Sequence, residues 1–168
     1  ERVSEIDDNL SLDMFNLLVD TLVANNYEHY EISNFAREGF RSRHNASYWQ
    51  AIPYLGLGPS AHSYDGNSRQ WNVSNLRKYM DAIENGTLPM EREVLNEDTK
   101  YNDWITTALR TKEGLDLNRL SNAHRQYLLQ AAEHHLKQNH LVLSGNNIAL
   151  SRTGIFISDS IMSDLVKV

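Results

Sequence analysis

Between Arg43 and Trp49 the chain gathers an imidazole, an amide, a phenol and an indole: His44, Asn45, Tyr48 and Trp49, in a region poor in aliphatic side chains. If this stretch is helical, His44 and Tyr48 share one face, while Asn45 and Trp49 share the adjacent one. Two readings fit. Such a surface suits a flat aromatic ligand, since aromatic rings stack and a neutral imidazole can ligate a metal. Alternatively, Tyr48 and Trp49 plug a core and His44 makes a polar contact.

Gly56-Leu57-Gly58-Pro59-Ser60-Ala61 matches the spacing G-x-G-x-x-A of dinucleotide-binding turns. The context argues against that chemistry, because Pro59 interrupts and a hairpin pattern follows where a helix should open. The glycines still require a sharp turn or a close backbone approach. Glu31 is a further candidate. Strand alternation over Tyr27–Ile32 puts Tyr30 and Ile32 on one face and Tyr27, His29 and Glu31 on the other. If the first face packs on helices, Glu31 turns inward and needs a partner or a substrate; if the strand is an edge, that face meets water. The seven histidines, His29, His44, His62, His124, His134, His135 and His140, include no same-face i, i+4 pair with a nearby acid, so a helical metal site is not expected.

These residues need elements to hold them. Leu12, Phe15, Val19, Leu22 and Val23 recur at helical spacing, and Asn25-Asn26 supplies a stop. Tyr27–Ile32 then reads as a strand, which makes the αβ half of a βα repeat. Tyr54–Gly58 is a second short strand candidate. Ala61–Tyr64 and Gln70–Val73 flank Asp65-Gly66-Asn67 as a hairpin. Ser74 can cap a helix carrying Leu76, Tyr79, Met80 and Ile83 that stops at Gly86, and Thr87–Met90 reads as a linker.

Beyond it, Tyr101, Trp104, Ile105, Ala108 and Leu109 form a helical stripe capped at Asn96 or Asp98. Leu115 and Leu117 mark an extended step, Leu120 opens a brief helix, and Leu128, Ala131, Ala132, His135 and Leu136 line another. Leu141 to Leu150 alternates as a hairpin, and Ile157, Ile161 and Leu165 line a last helix. Three helices and a hairpin resemble a winged-helix module. The expected organisation is therefore α/β (α+β), with a boundary near Pro89: residues 1–89 as an α/β part and 90–168 as a helical, winged-helix-like domain.

The chain has 168 residues, 40% of them apolar, room for one domain or two small ones. Acids outnumber bases 22 to 16, for a net charge of −6, and the basic residues after Pro89 are scattered among acids. Nucleic acid is not an expected partner. No apolar stretch approaches the roughly 20 residues of a membrane helix, so no integral membrane segment is expected. Zero cysteines exclude disulfides, thiolate metal sites and cysteine nucleophiles. Glu1-Arg2-Val3-Ser4 carries no targeting pattern, and a cytoplasmic fragment of something longer is the expectation.

Taken together, Tyr30-Glu31-Ile32-Ser33-Asn34-Phe35-Ala36, Arg43-His44-Asn45 with Tyr48-Trp49, and Tyr54-Leu55-Gly56-Leu57-Gly58-Pro59-Ser60-Ala61-His62-Ser63 resemble a known family. It is that of the oxygen-independent coproporphyrinogen III oxidase-like radical S-adenosylmethionine proteins, and the His-Asn-x-x-Tyr-Trp segment is most similar to its heme chaperone branch. The resemblance covers essentially the whole chain, with Asn26 where such sequences commonly have glycine.

It implies a partial TIM-like barrel of which this chain holds the last elements, followed by the family's C-terminal domain. It also implies a [4Fe–4S] cluster and S-adenosylmethionine in the intact protein, held by a CxxxCxxC motif upstream. No catalytic residue is then expected in this chain, which alone should be inactive. Heme or porphyrin contact is implied for His44, Asn45, Tyr48, Trp49 and His62, with His44 the candidate axial ligand. Glu31, Gly56, Gly58 and Ala61 are implied to lie near the cofactor. The implied function is heme delivery to an acceptor protein; the alternatives are oxidative decarboxylation of coproporphyrinogen III propionates and, for the last seventy residues only, a winged-helix nucleic-acid module. A truncated barrel would also expose apolar surface that favours a homodimer.

Overall fold

The computed structural model describes residues 7–168. Helix α1 (Asp8–Ala24) is capped by the Asp7 carboxylate, which accepts from the Leu10 N–H at 3.3 Å. It ends at Asn26, whose φ of 63° is the left-handed stop read from the sequence. β1 (Glu28–Glu31) turns directly into β2 (Asn34–Ala36), an antiparallel pair. The register slips between His29 and Glu31, and this bulge overturns the simple alternation expected there: Tyr30 and Glu31, consecutive in sequence, are both buried.

Helix α2 (Arg43–Trp49) follows, capped by Ser42. Tyr54–Gly58, expected as a strand, is a loop whose backbone pairs with a sheet through one isolated bridge, from Tyr54 to Tyr64, and Leu55 and Leu57 lie exposed. The expected hairpin forms as β3 (His62–Tyr64) and β4 (Ser68–Asn72). Asp65 fixes its turn by accepting from the Asn67 and Ser68 N–H groups at 2.8 and 2.6 Å. The following helix, α3 (Leu76–Glu84), is capped by Asn75, not Ser74. Met90 does not belong to a linker: it opens β5 (Met90–Val94), which pairs with the full length of β4.

Asn96 caps α4 (Glu97–Ala108). After it, β6 (Leu115–Asp116) leads into a single 3-10 turn, Leu117–Arg119, which replaces the brief helix expected from Leu120. Ser121 then caps the longer helix α5 (Asn122–Lys137). Strands β7 (Leu141–Ser144) and β8 (Asn147–Leu150) form the expected hairpin, and β6 joins it in the order β6-β8-β7. The last helical stretch is broken at Ile157 into α6 (Arg152–Phe156) and α7 (Ser158–Leu165). Every strand pairing among the described residues is antiparallel, in three small sheets.

The hydrophobic core lies in the second half, where Ile105, Leu115, Leu128, Ile148, Ile161 and Leu165 are fully buried. Before Leu95 the buried apolar side chains among the described residues are Val19, Tyr30 and Ala36. Apolar faces of the first half stand in solvent instead: Leu10, Met14, Leu17 and Leu18 on α1, and Leu76, Met80 and Ile83 on α3. The halves are joined by backbone, since the Ile32 N–H donates to the Arg110 carbonyl at 2.9 Å and the Lys112 N–H to the Tyr30 carbonyl at 3.0 Å. No helix among the described residues is long and apolar enough to cross a membrane.

Candidate functional site

Seven residues form α2 because Ser42 stands before it with an extended backbone and its hydroxyl takes the Asn45 N–H at 3.4 Å. The helix splits the motif as its period requires. His44 and Tyr48 lie exposed on one side, and Asn45 and Trp49 are half-buried on the next. Ala51 ends the helix with a φ of 55°, its N–H bonded to the Tyr48 carbonyl at 3.1 Å.

Trp49 is fixed by a residue that the sequence reading treated only as one of many scattered cations. The Arg110 guanidinium lies 4.9 Å from the centre of its indole, a cation–π contact. The same guanidinium grips Glu31, with both Nε and Nη2 2.8 Å from Oε1. The other carboxylate oxygen of Glu31 accepts from the Ser33 N–H at 3.0 Å and from the Asn34 side-chain amide. The inward-facing acid thus has its partner within the chain. Glu31, Trp49 and Arg110 form one unit across β1, α2 and the end of α4.

The glycine segment makes a close backbone approach to its own sheet. A Cβ on Gly56 would clash with the His62 carbonyl oxygen, and the Gly56 N–H donates to the Ser63 hydroxyl at 2.9 Å. Gly58, at φ 103°, accepts from the Asn72 amide at 2.9 Å, and the Ala61 N–H reaches the Gly58 carbonyl at 3.3 Å. His62 is exposed on β3 and tilted over Trp71 at 6.2 Å, beside a second hollow of ≈ 550 Å³ bounded by Asn72, Pro89 and Glu91.

Tyr48 leads into a larger aromatic array. Its ring lies 5.2 Å from Trp49 and 5.9 Å from Tyr54, and Tyr54 lies 6.2 Å from Tyr64. These tyrosines form one wall of a cleft of ≈ 410 Å³, a size suited to small ligands, with Tyr101 and Trp104 of α4 opposite. Arg69 reaches Asp103 and Glu93 at 3.3 Å each, and Arg119 stacks on Trp104 at 3.6 Å. Burial pushes the Asp103 carboxyl up from the usual carboxylate range, against the nearby Arg69 and with the help of Glu93. It also pushes the Tyr54 phenol up, as does the neighbouring Tyr48. Apart from Tyr48, no residue of this cleft is a ligand candidate from sequence; its walls come from segments as far apart as Tyr48 and His124, and no local spacing announces them.

The chain contains no cysteine, and among the described residues no group of three or more His, Asp or Glu side chains could hold a metal ion. Its own side chains do not fit a [4Fe–4S] cluster, which needs thiolates.

No family model matches the chain. A solved structure of coproporphyrinogen III oxidase (HemN) from Escherichia coli, a radical S-adenosylmethionine enzyme, aligns with 93% of this chain and 41% of its own, with a TM-score of 0.64 at 17% identity. The mixed α/β fold with small antiparallel sheets is thus a fold found within that class of enzyme. In sequence, the chain is 32% identical to the heme chaperone HemW of Mycobacterium tuberculosis over 161 residues, 95% of this chain and 40% of that protein. HemW of Bacillus subtilis is 31% identical over 118 residues, 69% of this chain and 31% of that protein. The chain belongs to the family of HemW heme chaperones and HemN-like radical S-adenosylmethionine proteins. It spans about 40% of the length of the Mycobacterium relative.

Proposed function

We propose that this chain is the C-terminal part of a heme-binding chaperone and supplies the surface on which heme is held before transfer to an acceptor protein. In this reading residues 1–89 carry the last elements of a partial barrel, and the exposed apolar faces of α1 and α3 pack against the upstream part. Residues 90–168 supply the winged-helix-like domain, entered through β5, which pairs with β4 of the first part. The cluster and S-adenosylmethionine belong to the upstream part, so this chain alone performs no radical chemistry.

The observation that carries the reading is the exposed His44–Tyr48 face of α2 beside an aromatic cleft, in a chain 32% identical to a heme chaperone over 95% of its length. The His44 imidazole would supply a nitrogen ligand to heme iron, and Tyr48 would stack on the macrocycle, whose apolar face gains from leaving water. Asn45 orients His44 or a heme carboxylate. Glu31 acts indirectly, holding Arg110 and through it Trp49, while Gly56, Gly58 and Ala61 shape the loop behind His62.

The test gives the purified full-length protein hemin and coproporphyrinogen III in parallel. A chaperone retains heme and leaves the porphyrinogen unchanged. Conversion of the porphyrinogen would contradict this reading in favour of an oxidative decarboxylase.

A further inference from the structure

The cleft between the tyrosine wall and α4 has an unequal charge balance at its rim. Arg69 is already held by Asp103 and Glu93, and Lys100 by Glu97 and Asn67. Arg119 differs. Its guanidinium carbon lies over Trp104, 3.6 Å from the ring centre, and the group has no carboxylate partner among the described residues. A guanidinium stacked on an indole keeps its in-plane N–H groups free, and those groups match a carboxylate in geometry. The Trp104 Nε1 beneath it is buried without a hydrogen-bond partner. The cleft therefore offers rings on both walls and one uncommitted anion receptor at its edge.

Tyr48 ties this cleft to the motif helix. It lines the cleft and also shares the exposed face with His44, one turn earlier. A porphyrin macrocycle is wider than the roughly 5.4 Å pitch of a helix, so a ring plane near His44 extends past Tyr48 toward the cleft. In heme and protoporphyrin IX both carboxylates sit on one edge. We propose that the cleft receives the carboxylate-bearing edge of a porphyrin, with Tyr48, Tyr54 and Tyr64 along one side and Arg119 as the principal contact for the anion. This deepens the heme reading given above and rests on it for the ligand class.

The experiment uses iron-free protoporphyrin IX and its dimethyl ester, titrated into the full-length protein and followed by tryptophan quenching. Neither ligand has iron, so axial ligation cannot contribute. The wild type should bind the free acid more tightly than the diester. Arg119→Gln should weaken the free acid about tenfold and leave the diester unchanged, removing the preference, because a charge-assisted hydrogen bond is lost only for the acid. Arg119→Lys, which keeps the charge, should restore part of the preference and guards against a folding defect. Equal weakening of both ligands, an unaltered preference in Arg119→Gln, or no porphyrin binding by the wild type would each overturn the assignment. Failure of the His44 reading shows separately, as a hemin spectrum indifferent to His44→Ala.

Discussion

Replacing Arg110 by methionine keeps most of its length and removes its charge. The Glu31 side chain has 0% exposure, and Arg110 supplies two of its hydrogen bonds, both to Oε1. What would remain on that carboxylate are the Ser33 and Asn34 donors on the other oxygen. Breaking a buried ion pair from one side typically costs about 3–5 kcal/mol, because the surviving charge is left desolvated. For a chain of this size each kcal/mol moves the melting temperature by roughly 2–4 °C, so Arg110→Met should lower it by about 6–20 °C. Glu31→Gln in the same background should recover much of the loss, since it removes the stranded charge. Denaturant unfolding of the wild type, both single variants and the double variant closes the cycle. A loss under about 1 kcal/mol for Arg110→Met, or additive effects in the double variant, would refute the idea that this pair locks β1 and α2 to the end of α4.

Three further outcomes follow from local geometry. Hydrogen bonds from Arg41 and Lys112 lower the Glu28 carboxyl from 4.5 to about 2, so its stabilisation is full above pH 4.5 and lost as pH falls through about 2; Glu28→Gln should flatten that acid limb in pH-dependent urea unfolding. Ala51 holds a φ of 55°, so Ala51→Gly should leave stability unchanged or raise it by up to about 1 kcal/mol, whereas a clear loss would mean the Ala51 methyl group makes packing contacts that matter. Gly56→Ala places a methyl group against the His62 carbonyl and should cost about 1–3 kcal/mol in thermal unfolding; a neutral result would mean that the loop is not pressed onto β3.

The second half was the more legible. Its helical stripe at Tyr101, Ile105 and Ala108 and its alternation at Leu141 and Ile148 point into one interior, so periodicity and burial agree. The first half misled wherever burial was not the organising force. Leu55 and Leu57 look like strand residues yet stand exposed in a loop shaped by glycine and hydrogen bonds, and the bulge after His29 buries two neighbours at once. Asn75 replaced Ser74 as a cap because both residue types suit that position, and propensity cannot choose between neighbours. At the site, the pairing of His44 with Tyr48 and of Asn45 with Trp49 on adjacent helix faces could be read from spacing, because helix geometry is local. Arg110, 79 residues from Glu31, and the cleft walls at Tyr54, Tyr64 and Trp104 could not, because tertiary packing alone brings them together.

The central claim is that α2 presents a heme ligand, and hemin titration of the full-length protein tests it most directly. The wild type, His44→Ala and His62→Ala should be compared by Soret absorbance and affinity. A shifted Soret band and weaker binding in His44→Ala, with His62→Ala close to the wild type, is the expected result. If His44→Ala leaves both spectrum and affinity unchanged, the motif is structural and the heme assignment to this helix is wrong.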